Sequence, residues 1–118
     1  MTYKNLLEDS LKALPEFETE YEKNIEADVI DKESGMHIVF GYIFEPMLSK
    51  AIKQDRKLAT KMFDFLEQMA GSEDVRVQEV CDQAVLEALY WEHTSTILWP
   101  MMKEKTRDGY KAVSEYMN

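Results

Sequence analysis

Apolar residues recur every third or fourth position along most of this chain, and that spacing predicts helices. The clearest stretch spans residues 57–91. Leu58, Met62, Phe65, Leu66 and Met69 make one continuous face at 3.6 residues per turn, a spacing no strand produces. Gly71 follows, where a left-handed stop costs glycine little. Ser72 is placed to cap a second helix, and Glu73 and Asp74 sit near its positive end. The inward face of that helix is predicted to hold Val77, Val80, Cys81, Ala84, Val85 and Ala88, with the small Cys81 and Ala84 allowing close approach of its partner.

Upstream, a helix is predicted over residues 3–14 with Leu7, Leu11 and Leu14 inward, stopping before Pro15. A second begins at that proline, which suits a first helical turn, and Phe17, Tyr21 and Ile25 continue one face at four-residue steps. Residues 28–35 read as a polar turn. Residues 36–54 open on His37-Ile38-Val39-Phe40-Gly41-Tyr42-Ile43-Phe44, which has strand-like composition but no alternation. A lone strand would orphan its backbone groups, so a buried helix is expected, with a kink near Phe44 or a fresh start at Pro46. After the 57–91 pair, Glu92-His93-Thr94-Ser95 reads as a break with two possible caps. A short turn then leads to Pro100, from which a last helix is expected to reach residue 116, with Met102, Thr106, Tyr110, Val113 and Met117 inward and weakened by Gly109.

The sum is an all-α fold: a single domain over residues 1–118, built as a bundle of five to six helices. A chain of this length buries roughly two thirds of the surface its unfolded form exposes, so it needs neither disulfide nor metal. The lone Cys81 cannot pair within the chain and reads as a packing residue, which suits a reducing compartment. The amino terminus turns acidic at Glu8 and Asp9 without a signal-peptide core, and no apolar run is long enough for a bilayer. A soluble cytoplasmic protein is expected, although export by a route without such a signal stays open.

Charge narrows the partners. The chain carries 14 basic and 23 acidic side chains, and 10 of the acids fall in residues 1–35 against 4 bases. Nucleic-acid affinity rests on lysine and arginine replacing condensed counterions, so direct DNA or RNA binding is disfavoured, as is an anionic membrane. A basic protein, by contrast, would be drawn in over a Debye length. The candidate contact surface is the acidic helix with Glu16, Glu18, Glu20, Glu22 and Glu26, followed by Asp28, Asp31 and Glu33; its bland alternative is a solvated face that keeps the protein soluble. Lys50, Lys53, Arg56 and Lys57 form the only basic patch of note and are expected to neutralise nearby acids.

Candidate chemistry is sparse. Neither His37 nor His93 has a metal-ligand spacing partner, and no catalytic, metal or cofactor motif is present. Glu45, inside Phe44-Glu45-Pro46-Met47, is the most conspicuous carboxylate in an apolar setting, where desolvation raises its pKa. The favoured reading is a carboxylate at the kink, bonded to freed backbone groups or reaching solvent. His37, two turns back through Gly41, could meet it, and an enzyme centred on these two and a tyrosine is the least favoured reading. Tyr90, Trp91, Trp99, Met101 and Met102 read as core packing first and as interface anchors second.

Two resemblances add to this. The run Ser72-Glu73-Asp74-Val75-Arg76-Val77-Gln78 resembles the inter-helix turn of HEAT repeats, and Val80, Cys81, Ala84 and Val85 resemble their small-residue face. No second copy follows at a matching period, so an ordinary antiparallel pair is the alternative. By size, charge, Phe40-Gly41-Tyr42-Ile43-Phe44-Glu45-Pro46 and Met62-Phe63-Asp64-Phe65-Leu66-Glu67, the chain is similar to small acidic all-helical bacterial proteins. These include uncharacterised families and the immunity proteins of polymorphic toxin systems. That resemblance implies a non-enzymatic antidote which binds a basic, nuclease-type toxin and occludes it. It carries over no functional residues. The alternative is an adaptor using a HEAT-like concave face, with Arg76, Gln78 or Asp82 in contact with its partner.

Overall fold

Pro15 sets the first boundary, because its missing amide and fixed φ suit a helix start but no helix interior. In the computed structural model, which describes residues 1–117, α1 spans Leu6–Ala13 and α2 spans Pro15–Glu26, with buried Leu14 as the hinge between them. The inward residues of α1 are Leu6, Ser10 and Leu14, with the expected Leu7 and Leu11 only partly buried beside them. Ser10 tolerates burial because its hydroxyl donates to the Leu7 carbonyl at 2.7 Å. In α2 the expected stripe holds: Phe17 and Tyr21 are buried, and Ile25 packs against the core.

Residues 36–54 form one continuous helix, α3, made of Met36–Val39, a π-helical stretch Phe40–Phe44, and Glu45–Gln54. Neither a strand nor a fresh start occurs there. Instead the Glu45 amide donates to the Phe40 carbonyl, five residues back. The wider turn lets the chain pass Pro46, whose ring would otherwise meet the carbonyl four residues earlier.

Helix α4 spans Arg56–Ala70 and starts on Asp55, whose Oδ1 accepts from the Leu58 amide at 3.1 Å. It ends at Gly71, but not in a left-handed conformation: φ is −87° there. What favours glycine is space, since a Cβ would lie 3.3 Å from the Glu67 carbonyl. The cap of the next helix is Asp74 and not Ser72. Asp74 Oδ1 accepts from the Arg76 amide at 3.0 Å, while the Ser72 hydroxyl donates to the Met1 carbonyl at 2.6 Å. The turn therefore also holds the start of the chain.

Helix α5 covers residues 75–92 as Val75–Glu79, a second π-helical stretch Val80–Leu86, and Glu87–Glu92. The Glu87 amide donates to Asp82, again five residues back. One extra residue in a turn rotates everything after it by about 100° relative to an α-helix. The buried set accordingly runs Val77, Val80, Cys81, then Val85, Leu86 and Leu89, so Ala84 and Ala88 move partly out of the core. The two π stretches pack on each other, and a Cβ on Gly41 would sit 3.9 Å from the Ala84 carbonyl.

Thr94 caps a one-turn helix α6, Ser95–Leu98, which runs into a 3-10 turn, Trp99–Met101. The last helix, α7, is Glu104–Met117 and begins later than Pro100. Its start is fixed by another helix. Glu67 of α4 accepts from the amides of Lys105 and Thr106, both at 2.9 Å, and from the Thr106 hydroxyl at 2.8 Å. Burial opposes the Glu67 charge, but these hydrogen bonds outweigh it and hold the carboxyl below its usual range. As expected, Met102, Thr106, Tyr110 and Val113 face inward.

The chain thus has seven helices, one short helix more than expected, and no strand among the described residues. Helices α4 and α5 fold back on each other about the 71–74 turn, with the Cys81 thiol donating to the Leu66 carbonyl at 3.8 Å. The core centres on aromatic rings. Phe40 and Phe44 stack at 4.9 Å, Phe17 meets Phe44 edge-on at 5.5 Å, and Phe65 reaches Phe44 at 6.3 Å. Phe44 therefore ties α2, α3 and α4 together. No helix among the described residues is long and apolar enough to cross a membrane.

Candidate functional site

The acidic surface is organised by the buried side of α2. Phe17 and Tyr21 fix that helix to the core, and the side flanking this stripe, about 100° round the helix, presents Glu18, Glu22 and Glu26 to solvent at four-residue steps. None of these three has an ion-pair partner among the described residues. Past the helix, Asp28 adopts φ 57°, a left-handed conformation that aspartate tolerates, and turns the chain. Asp28, Asp31 and Glu33 are all exposed. Asp31 is held locally by the Glu33 amide, which donates to its Oδ1 at 2.8 Å, so this end of the surface is an ordered turn.

Glu16 and Glu20 belong elsewhere. Lys61 reaches both Glu16 carboxylate oxygens at 3.0 Å, and Lys23 lies 3.5 Å from Glu20. A bond from its own amide, then Lys61, hold the Glu16 carboxyl below its usual range. Both residues line an open groove of about 680 Å³ between α2 and α3, with Pro46, Met47 and Lys50 opposite. Of the eight acids expected to form one surface, these two are therefore neutralised in part. The basic patch does not do this. Lys50, Lys53, Arg56 and Lys57 are exposed and without an ion-pair partner among the described residues, and the neutralising lysines are Lys61 and Lys23.

Glu45 lies on a different side of α3, buried at 5% exposure as expected for an apolar setting, but its company differs. His37 does not meet it: His37 Nε2 pairs with Gln83 Oε1 at 2.9 Å. The carboxyl of Glu45 instead lies beside that of Glu92, at the end of α5, close enough to share a proton, and its Oε2 is buried without a partner. Burial first, then Glu92, push Glu45 up to about 8. One turn along, Ser49 Oγ lies 2.9 Å from His93 Nε2 and donates to Glu92 Oε2 at 3.4 Å. Sequence reasoning missed Glu92, Ser49 and His93 here. The one signal was the pairing of a buried acid with the helix break at 92–95.

The hairpin residues expected of an adaptor surface are engaged within the chain. Arg76 pairs with Asp74 and lies over the Tyr3 ring at 5.0 Å, Gln78 donates to the Ser72 carbonyl at 2.6 Å, and Asp82 packs half-buried against Gly109. The aromatic cluster divides: Met102 is core, Tyr90, Trp99 and Met101 are partly buried, and Trp91 is 69% exposed. The Arg107 side chain covers Trp99 at 4.8 Å and donates to its carbonyl. Burial pushes the Cys81 thiol well up, consistent with a packing role. No group of three or more His, Cys, Asp or Glu suited to a metal ion occurs among the described residues.

An all-helical protein with a carboxylate-lined surface is the class these features define. The chain belongs to the family described as Domain of unknown function (DUF7674), whose model matches residues 7–118. No curated protein and no solved structure matches it.

Proposed function

We propose that this protein is a non-enzymatic binding module that captures a basic protein through the exposed side of α2 and the 28–33 turn. The mechanism is occlusion, in the manner of an immunity protein that covers a nuclease-type toxin. One observation carries this reading: Glu18, Glu22 and Glu26 stand unpaired on one side of a helix whose adjoining side is locked into the core. A rigid row of like charges facing water contributes little to stability, and neighbours at four-residue steps repel, so the row is a cost to the folded state. The same row raises the rate of encounter with a basic surface. The formal net charge of −9 works in the same direction and against phosphate backbones.

The test is association with the basic product of a neighbouring reading frame, followed at low and high salt. A complex whose association slows on reversing Glu18, Glu22 and Glu26 to lysine is the expected result. Association unchanged by that reversal removes α2 as the contact surface.

A further inference from the structure

We propose that Glu45, Glu92, Ser49 and His93 form a proton-dependent clasp that fastens α3 to the end of α5, closed while one proton is held between the two carboxyls and loosened when it leaves. This stands apart from the binding surface on α2 and does not rest on it.

The hydrogen-bond inventory assigns the proton. An ionised carboxylate only accepts, and Ser49 Oγ already donates to Glu92 Oε2. With the serine hydrogen directed there, the 2.9 Å contact to His93 is a bond from Nε2–H of a neutral imidazole to Oγ. Glu92, exposed at the rim, is thus the acceptor of the group, and Glu45 beneath it is the donor. Burial favours the same assignment. A charge on Glu45 would be taken out of water with Oε2 unpartnered and a second carboxylate in contact, whereas the neutral acid loses far less. Carboxyl pairs that share a proton behave this way because two like charges in contact cannot both ionise without separating.

The charged and titratable groups acting on this corner are Glu92 at the end of α5, His93 just after it, and Lys53 from α3 itself. Helix α2 presents Glu16 and Glu20, and α4 with its cap presents Lys61 and Asp55, on the groove side of α3. Burial first, then Lys53, hold His93 below its ordinary value, which favours the neutral imidazole; the bond to Ser49 then needs its hydrogen on Nε2.

The direction of the pH effect follows from where the proton is bound. Unfolded, Glu45 returns to the ordinary value of 4.5; folded, it is near 8. Between those limits the folded state holds one more proton than the unfolded state, so this residue makes stability fall as pH rises, and the fall levels off above the folded value. His93 acts oppositely: its folded value is depressed, so its contribution is complete above 6.5 and is lost as pH falls through the folded value. The clasp is therefore limited by His93 on the acid side and by Glu45 on the alkaline side.

The experiment compares the wild-type protein with Glu45→Gln, which keeps the shape and cannot ionise. Denaturant unfolding is measured from about pH 5 to about pH 9, and the ratio of folding constants, wild type over variant, should fall up to about tenfold per pH unit until near pH 8. Carbon-detected NMR of the glutamate carboxyls should find one group titrating near pH 8 in the wild type, absent from Glu45→Gln and moved to lower pH in Glu92→Gln. A ratio that stays flat overturns the proposal, as does a wild-type spectrum in which every glutamate titrates below about pH 5.5. Should Glu45→Gln fail to fold, the wild-type and Glu92→Gln titrations decide the matter alone.

Discussion

Two groups of glutamates lie on different sides of α3 and behave as different chemical objects. On α2, Glu18, Glu22 and Glu26 stand in water and act outward, over distances that salt shortens. At the α3–α5 corner, Glu45 is removed from water, meets Glu92 directly, and acts inward on the packing of two helices. Residue type does not separate them. What separates them is whether a neighbouring element covers the carboxyl, because desolvation makes neutralisation by a proton cheaper than ionisation.

The largest test strikes what both groups share. Phe44 anchors α2 through Phe17 and immediately precedes Glu45. Phe44→Ala should cost about 3–5 kcal/mol by denaturant unfolding, and a loss under about 1 kcal/mol would mean the aromatic cluster does not hold these elements together. Next, reversing Glu18, Glu22 and Glu26 to lysine should slow association with a basic partner by about 10–100-fold at low salt while leaving folding nearly unchanged, since exposed charges contribute little to stability. A large loss of stability instead would place α2 with the corner and dissolve the contrast.

A smaller test uses Asp82, between the two extremes: half-buried, with a pKa raised first by burial and then by Glu87. A Cβ on Gly109 would fall 2.6 Å from its Oδ1. The roughly 1 kcal/mol that alanine gains over glycine in a helix should therefore be offset in Gly109→Ala, leaving a change between about zero and a 1 kcal/mol loss. A full gain in the melting experiment would show that the Asp82 carboxylate swings aside freely. The smallest effect belongs to the pair at the groove. Lys61→Met frees Glu16, yet both side chains are nearly half exposed, so stability should move by less than about 0.5 kcal/mol.

Much of the fold was legible in the sequence. The Phe17–Tyr21–Ile25 stripe, the Leu58 to Met69 face and the Met102 to Val113 face all turn inward because a 3.6-residue period maps directly onto one side of a helix. The reading of residues 36–54 as helix also holds, since the backbone groups of a strand would have had no partner. Errors cluster where a turn departs from that period. After Val80 the inward face moves from Ala84 and Ala88 to Leu86 and Leu89, a shift no apolar pattern announces because both sets are apolar. Ser72 and Asp74 are both competent caps, and only the structure shows that Ser72 Oγ accepts from the Asp74 amide, before the helix, while Asp74 accepts from the Arg76 amide within it. At the candidate site, the burial of Glu45 was legible from its apolar flanks; its partner was not, because Glu92 lies far away in the chain.

Periodicity, prolines and charge, read by themselves, determined that this chain is helical, where α2 starts, which faces of α2, α4 and α7 are buried, and that its exterior is acidic. Those are local properties: each depends on residues within a turn or two of one another. Only the tertiary structure decided that α3 and α5 each take a π turn where they meet, that Glu67 caps α7, and that Glu45 faces Glu92 while His37 faces Gln83. Such pairings are set by how two helices settle against each other, and that geometry depends on the joint packing of residues distant in sequence.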